Sequence, residues 1–187
     1  KENIKDVNQY KYIVIDARKG DNGWGLVSLL STLKTKNEVS SNIDQTSIIP
    51  YPHQYNMTFS KSDLLLEGKL SGLDTTFAKI VVLVDDRTLS APERSILPYY
   101  DADEILLIGE KTAGSCALSS KIRVNKNINV IFTTSKVTHA DSTAVQGIGI
   151  IPHYKVSPTI ENIKDNIDPA LEKAIEIINT ELNDNNK

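Results

Sequence analysis

The stretch Lys79–Glu110, KIVVLVDDRTLSAPERSILPYYDADEILLIGE, limits what this chain can fold into more than any other. An apolar strand, Ile80 to Val84 after Lys79, runs into the polar turn Asp85-Asp86-Arg87-Thr88. Ser90-Ala91-Pro92-Glu93 then opens an apolar helical run to Tyr100, and a second buried strand follows over Glu104–Ile108. A serine where a buried strand hands over to a helix can present its hydroxyl at the sheet edge. There the first helical amides and the positive dipole end face any developing anion. The same letters spell a capping box, serine as N-cap and glutamate three residues on, which is the commoner use of such a pattern. Taken alone, the stretch favours the cap.

Composition narrows the classes. The chain has 187 residues, 40% hydrophobic and 24% charged, which suits one globular domain with a real core. A net charge of −3 makes no electrostatic case for nucleic acid or an anionic membrane. No apolar run approaches a membrane span, and no signal sequence opens the chain, which reads as a portion of something longer. The single cysteine, Cys116, excludes an internal disulfide and a cysteine zinc cluster. The histidines His53, His139 and His153 have no partners at metal-ligand spacing, so neither a metal nor another cofactor is expected.

In chain order, Tyr10–Asp16 reads as a buried strand, followed by the glycine-bearing turn Ala17–Gly23. Trp24–Leu33 carries Leu26, Leu29, Leu30 and Leu33 at helical spacing. Residues 34–47 are polar and read as a loop, Ile48–Ser60 as an edge strand or arm, and Lys61–Leu73 as one or two helical turns. Gly109–Ser115 is a second small-residue loop after a buried strand. Ile122–Val124 and Ile128–Thr134 flank Asn125-Lys126-Asn127 as a hairpin, and Ser135–Thr138 reads as a further strand. Gly147–Pro152 suits a strand start packed against another backbone. Asp168-Pro169 caps a helix running through Leu171, Ala174, Ile175 and Ile178, and residues 183–187 read as a frayed tail. This order belongs to a mixed α/β layered domain over residues 1–182, with the loops at the strands' carboxyl ends gathering the site.

Four segments together resemble the S41 serine peptidases, the tail-specific or C-terminal processing proteases. Val14-Ile15-Asp16-Ala17-Arg18 with the Gly23 loop resembles that family's Asp-Leu-Arg-Gly-Asn-x-Gly-Gly motif. Ser90-Ala91-Pro92-Glu93 resembles its nucleophile motif, and Gly109–Gly114 its Gly-Glu-x-Thr-x-Gly loop. Val145–Pro152 resembles its closing Glu-Gly-x-Gly-Ile-x-Pro-Asp element. The resemblance implies a crotonase/ClpP-like ββα layered core without the family's upstream PDZ-type and N-terminal parts. It implies Ser90 as nucleophile and the amides of Ala91 and of Gly23, or its neighbour Asn22, as the oxyanion hole. Asp16 and Arg18 would hold the loop.

The departures are specific. The tail-specific branch places its base, a lysine, where this chain has Ser115; Lys111 and Lys121 are the nearest alternatives in sequence and read as solvated. The tricorn-type branch, which lacks that lysine and is the nearer match, has a glutamate at the position of Gln146. The closing aspartate is replaced by His153, which reads as a strand-end residue, and His139 is the best local candidate for a base. Two functions therefore stay open. One is a peptidase core acting on peptides or proteins, with its base supplied from outside these residues. The other is a non-catalytic relative that binds peptides or hydrophobic ligands. A crotonase-type acyl-transforming enzyme is a weaker third. The family is mostly exported, which implies an extracytoplasmic site, and Lys, Asn and Ile richness suits a bacterial source. Oligomeric state is not readable.

Overall fold

The structure is a computed structural model describing residues 10–18, 25–26, 30, 40–46, 59–65 and 79–184. At its centre lies β4 (Lys79–Val84), parallel to β1 (Tyr12–Asp16) on one side and to β5 (Ile105–Gly109) on the other. A short β9 (Tyr154–Lys155) completes the order β1-β4-β5-β9. Parallel neighbours need a crossover; between β4 and β5 it is α1 (Ala91–Asp101).

Both faces of β4 are covered. Ile80, Val82 and Val84 share one core with Ile96, Leu97 and Tyr99 of α1 and with the helical residues Leu26 and Leu30. Val81 and Leu83 join Ile108 and Ala170 and Ala174 of the C-terminal helix in a second core. A strand buried on both sides has no polar face to show, hence its unbroken apolar run. The expected helix, flanking strands and mixed α/β class are all found.

Several expectations change. Among the described residues β1 is an edge strand rather than a buried one, and Val14 is 37% exposed. Residues 40–46, within the expected loop, form β2 (Ser40–Thr46), which lies between β3 (Phe59–Leu65) and β8 (Ser135–Thr138) in an antiparallel sheet. Its register places Asp44 opposite Lys61 on one neighbour and Lys136 on the other. A strand this polar carries no alternation for a sequence reading to detect. β3 (Phe59–Leu65) replaces the start of the expected helical turns, while residues 66–73 lie outside the described residues. The expected arm over residues 48–60 survives only as Phe59 and Ser60, in β3 at that sheet's edge; the rest, His53 included, lies outside them too.

The hairpin is present as β6 (Ser119–Arg123) and β7 (Asn129–Thr133), with Ile122 opposite Val130, and β8 (Ser135–Thr138) follows. Gly147–Pro152 is not a strand, which begins only at Tyr154, but the close backbone approach is real. A Cβ on Gly149, whose φ is +91°, would lie 2.2 Å from the Thr112 carbonyl oxygen. After the short α2 (Ile160–Lys164) comes α3 (Pro169–Asp184), whose first turn is capped where Leu171 N–H donates to Asp168 Oδ1 at 3.1 Å. Its inward stripe is buried Ala170 and Ala174 with half-buried Ile177 and Ile178; Leu171 and Ile175 face solvent. Small alanines at the contact let the helix lie close on β4, rotating the stripe from the one that larger side chains suggest.

Candidate active site

The site is built at the carboxyl end of β4. Asp85 folds the turn: its Oδ1 accepts the Arg87 N–H at 2.9 Å, and its carbonyl accepts the Thr88 N–H at 3.0 Å. Thr88 is fully buried, and its hydroxyl donates to the Ala17 carbonyl at 3.1 Å while accepting the Asp85 N–H at 3.0 Å. That ties the turn before Ser90 to the end of β1. On the other side, the Thr88 carbonyl accepts the Ala113 N–H at 3.0 Å.

Ser90 sits where the turn becomes α1, half-buried, with φ 62° and ψ −116°. This is the geometry of the first central residue of a type II′ turn, ordinarily glycine. A side-chain-bearing residue held there costs about 1–3 kcal/mol. What holds it is Glu93. The glutamate half of the capping box is made, the Ser90 N–H donating to Glu93 Oε2 at 3.1 Å. But Glu93 is more than a cap. It is wholly buried, and its carboxylate accepts three further hydrogen bonds: Thr112 Oγ1 at 2.6 Å, Gly114 N–H at 2.7 Å and Ser115 N–H at 2.9 Å.

Those bonds make one unit of three separated motifs. The Thr112 hydroxyl also accepts the Ile150 N–H at 2.7 Å, and the Gly114 carbonyl accepts the Gly147 N–H at 2.7 Å. The loop must be glycine at both ends. A Cβ on Gly109 (φ +130°) would stand 2.1 Å from the Val84 carbonyl oxygen, and one on Gly114 (φ +70°) 2.6 Å from the Gly149 nitrogen.

The network brings Ser115 beside Ser90. Both backbone amides donate to the same oxygen, Glu93 Oε2, which keeps them within the span of two hydrogen bonds. Ser115 itself is exposed. Gln146 lies on the following segment, its Oε1 accepting the Ala117 N–H at 2.8 Å and thereby fixing the backbone just past Ser115. Ala91 is the first residue of α1, where N–H groups have no partner within the helix. Gly23 and Asn22 lie outside the described residues.

The candidate bases stand elsewhere. His139 is paired with Asp101 at the opposite end of α1, Nδ1 to Oδ1 at 2.6 Å, and Asp101 Oδ2 also accepts the Ala140 N–H. Eleven residues at 1.5 Å rise put about 16 Å between that pair and Ser90, so His139 is no base for it. His153 directly precedes β9, and its Nδ1 accepts the Leu107 N–H at 3.0 Å. Partial burial lowers its pKa, opposed by the charge of Asp103. It holds a strand, as expected. Lys111 and Lys121 are exposed.

Two further groups frame the site. Arg18 grips Asp16, Nε to Oδ1 at 2.8 Å, and Asp168, Nη2 to Oδ2 at 2.6 Å, joining the end of β1 to the cap of α3. The guanidinium holds both carboxyls below their usual range. Cys116 is buried, and desolvation, with the Glu93 charge adding to it, pushes its thiol up to about 12. It is therefore no nucleophile. In the sequence Glu93 reads only as a cap, and neither Thr88 nor Thr112 carries a role. A glutamate inside an otherwise apolar helix face was the signal that it had buried partners.

Comparisons with known proteins agree with this fold. The carboxyl-terminal-processing peptidase 1, chloroplastic, of Arabidopsis thaliana is 27% identical over 90 residues, which are 48% of this chain and 18% of that protein. A candidate peptidase from Parabacteroides merdae superposes with a TM-score of 0.67 at 19% identity, covering 89% of this chain and 51% of that one. Mature CPAF superposes with a TM-score of 0.63 at 15% identity, covering 82% and 40%. The chain thus spans about half or less of the length of these proteins, and at such identities the structures speak for the fold. The sequence profile of peptidase family S41 matches residues 1–156, more than four-fifths of the chain. This chain belongs to peptidase family S41.

Proposed function

We propose that this chain is the nucleophile-bearing core of a serine peptidase, with peptides or proteins as substrates. Ser90 Oγ attacks the scissile carbonyl, its proton passes to a base and then to the leaving amine, and water releases the acyl group from Ser90. The Ala91 amide, with that of Gly23 or Asn22, takes the oxyanion; one such donor contributes about 2.7–4 kcal/mol to the transition state. The base comes from outside these residues, since Ser115 and Gln146 stand where the family's two branches place a lysine and a glutamate. Membership of a family with chloroplastic and exported members favours an extracytoplasmic site for the protein. Among the described residues, no helix is long and apolar enough to cross a membrane.

One observation carries this reading: a strained serine at φ 62° on a strand-to-helix turn, pinned by a buried carboxylate. Strain of that kind persists where surroundings enforce it and gathers at functional positions. Nucleophile elbows expose their hydroxyl in the same way. The alternative, a non-catalytic peptide- or hydrophobic-ligand-binding relative, draws its support from Ser115 and Gln146. Labelling of the full-length protein, which carries the base, with a serine-reactive fluorophosphonate, mapped by mass spectrometry, separates the two. The peptidase reading expects an adduct on Ser90 that disappears in Ser90→Ala; a protein that takes no label at Ser90 is the binding relative.

A further inference from the structure

The β6–β7 hairpin stands apart from both cores. Among the described residues its strands pair only with each other, so each keeps an outer edge. Every residue from Lys121 to Ile131 is exposed. A two-stranded ribbon in water is marginal without something to pack on. Its turn is nonetheless well made, Asn125 Oδ1 accepting the N–H groups of Asn127 and Ile128 at 2.8 and 3.0 Å.

The two faces differ. Strand alternation puts Ile122, Val124, Ile128 and Val130 on one face, exposed by 50, 61, 51 and 47%. Lys121 and Arg123 fall on the other. In a chain of net charge −3, residues 111–140 hold Lys111, Lys121, Arg123, Lys126 and Lys136 and no carboxylate. The ribbon also rises from the site. Its base is tied where Thr134 N–H donates to the Leu118 carbonyl at 2.8 Å, just past the Ser115–Ala117 segment that Glu93 and Gln146 hold.

We propose that this hairpin is a docking arm for an extended polypeptide of alternating apolar and acidic residues, added as a strand along the outer edge of β6. An added strand also points alternate side chains to opposite faces, so such a segment beside β6 lays apolar groups next to Ile122 and Val124 and carboxylates next to Lys121 and Arg123. The arrangement fits the other occupants poorly. A ribbon lying apolar face down on an anionic bilayer would aim Lys121 and Arg123 away from the headgroups. Two cationic hairpins from two copies would repel. That the docked segment is delivered to Ser90 rests on the peptidase reading; the docking itself does not.

Fluorescence anisotropy tests this with a labelled alternating Val-Glu peptide, an alternating Val-Lys peptide, and a Val-Glu peptide of equal composition in two blocks. The alternating acidic peptide should bind tightest, and more weakly as salt is raised. Double substitution Lys121→Glu/Arg123→Glu, at exposed positions remote from the cores, should weaken it about tenfold or more through lost and reversed charge pairing. Ser90→Ala should leave it unchanged, so a failure of docking is distinguishable from a failure of the nucleophile. Equal binding of the Val-Lys peptide, indifference to the double substitution, or capture of the hairpin only by anionic vesicles or by a second copy would overturn the proposal.

Discussion

Glu93 Oε1 and Thr112 Oγ1 lie 2.6 Å apart in the interior, and the same hydroxyl accepts the Ile150 N–H at 2.7 Å. One threonine thus links helix α1, the loop after β5 and the closing segment. Thr112→Val keeps the shape but deprives both partners of a hydrogen bond. Leaving buried polar groups short costs about 1–3 kcal/mol. Urea denaturation should show a loss in that range, and a loss below about 0.5 kcal/mol, the level of a neutral surface change, would mean the network does not carry load.

The backbone strain at Ser90 has its own test. Ser90→Ala and Ser90→Gly both lack the hydroxyl, but only glycine takes φ 62° without penalty. Ser90→Gly should be the more stable of the two by about 1 kcal/mol, the low end of the strain it relieves. Equal stabilities would indicate that Ser90 is not strained.

The Arg18 clamp sets an acid limit. Asp16 and Asp168 have pKa values depressed by the guanidinium, so their contribution is complete above the unfolded carboxylate range and fades as pH falls through the lower folded values. These groups are partly exposed and screened by solvent, which limits the effect to about 1 kcal/mol. Arg18→Ala should lower stability at neutral pH by that amount and flatten the decline on acidification. A variant with an unchanged acid profile would place the stabilisation elsewhere.

Cys116 offers a check from chemistry. With its thiol buried and its pKa pushed up to about 12, it should resist alkylation at neutral pH until the protein unfolds. The raised value also means that the folded state keeps its proton while the unfolded one loses it above the usual thiol range near 8.5. Stability should therefore fall as pH climbs from there, and fall less in Cys116→Ala. Rapid labelling of the native protein would contradict the packing around Gln146 and Glu93.

The layout around β4 was legible because a strand buried on both faces leaves an unbroken apolar run, and the Ser-x-x-Glu that follows marks a helix start. The polar β2 was not, since its place is fixed by pairing on both edges rather than by its own pattern. Ser90, Ser115 and Gln146 could be placed by motif, yet nothing local said that one glutamate oxygen would bind the amides of both serines. Nor could spacing say that His139 pairs with Asp101, at the far end of α1. Long-range hydrogen bonds of this kind are decided by tertiary packing.

On the peptidase reading, Ser90 is a nucleophile that lacks only its base. Ser115→Lys puts an amine beside it, and a positioned base typically contributes a factor of about 10² to 10⁴. The measurement is the rate of fluorophosphonate adduct formation on Ser90 in the parent, in Ser115→Lys, and in Ser115→Lys carrying Ser90→Ala. Adduct formation at least about tenfold faster in Ser115→Lys, below the full contribution of an evolved base, rising with pH and absent without Ser90, is the predicted result. A rate unchanged by the lysine, or label persisting without Ser90, would contradict it.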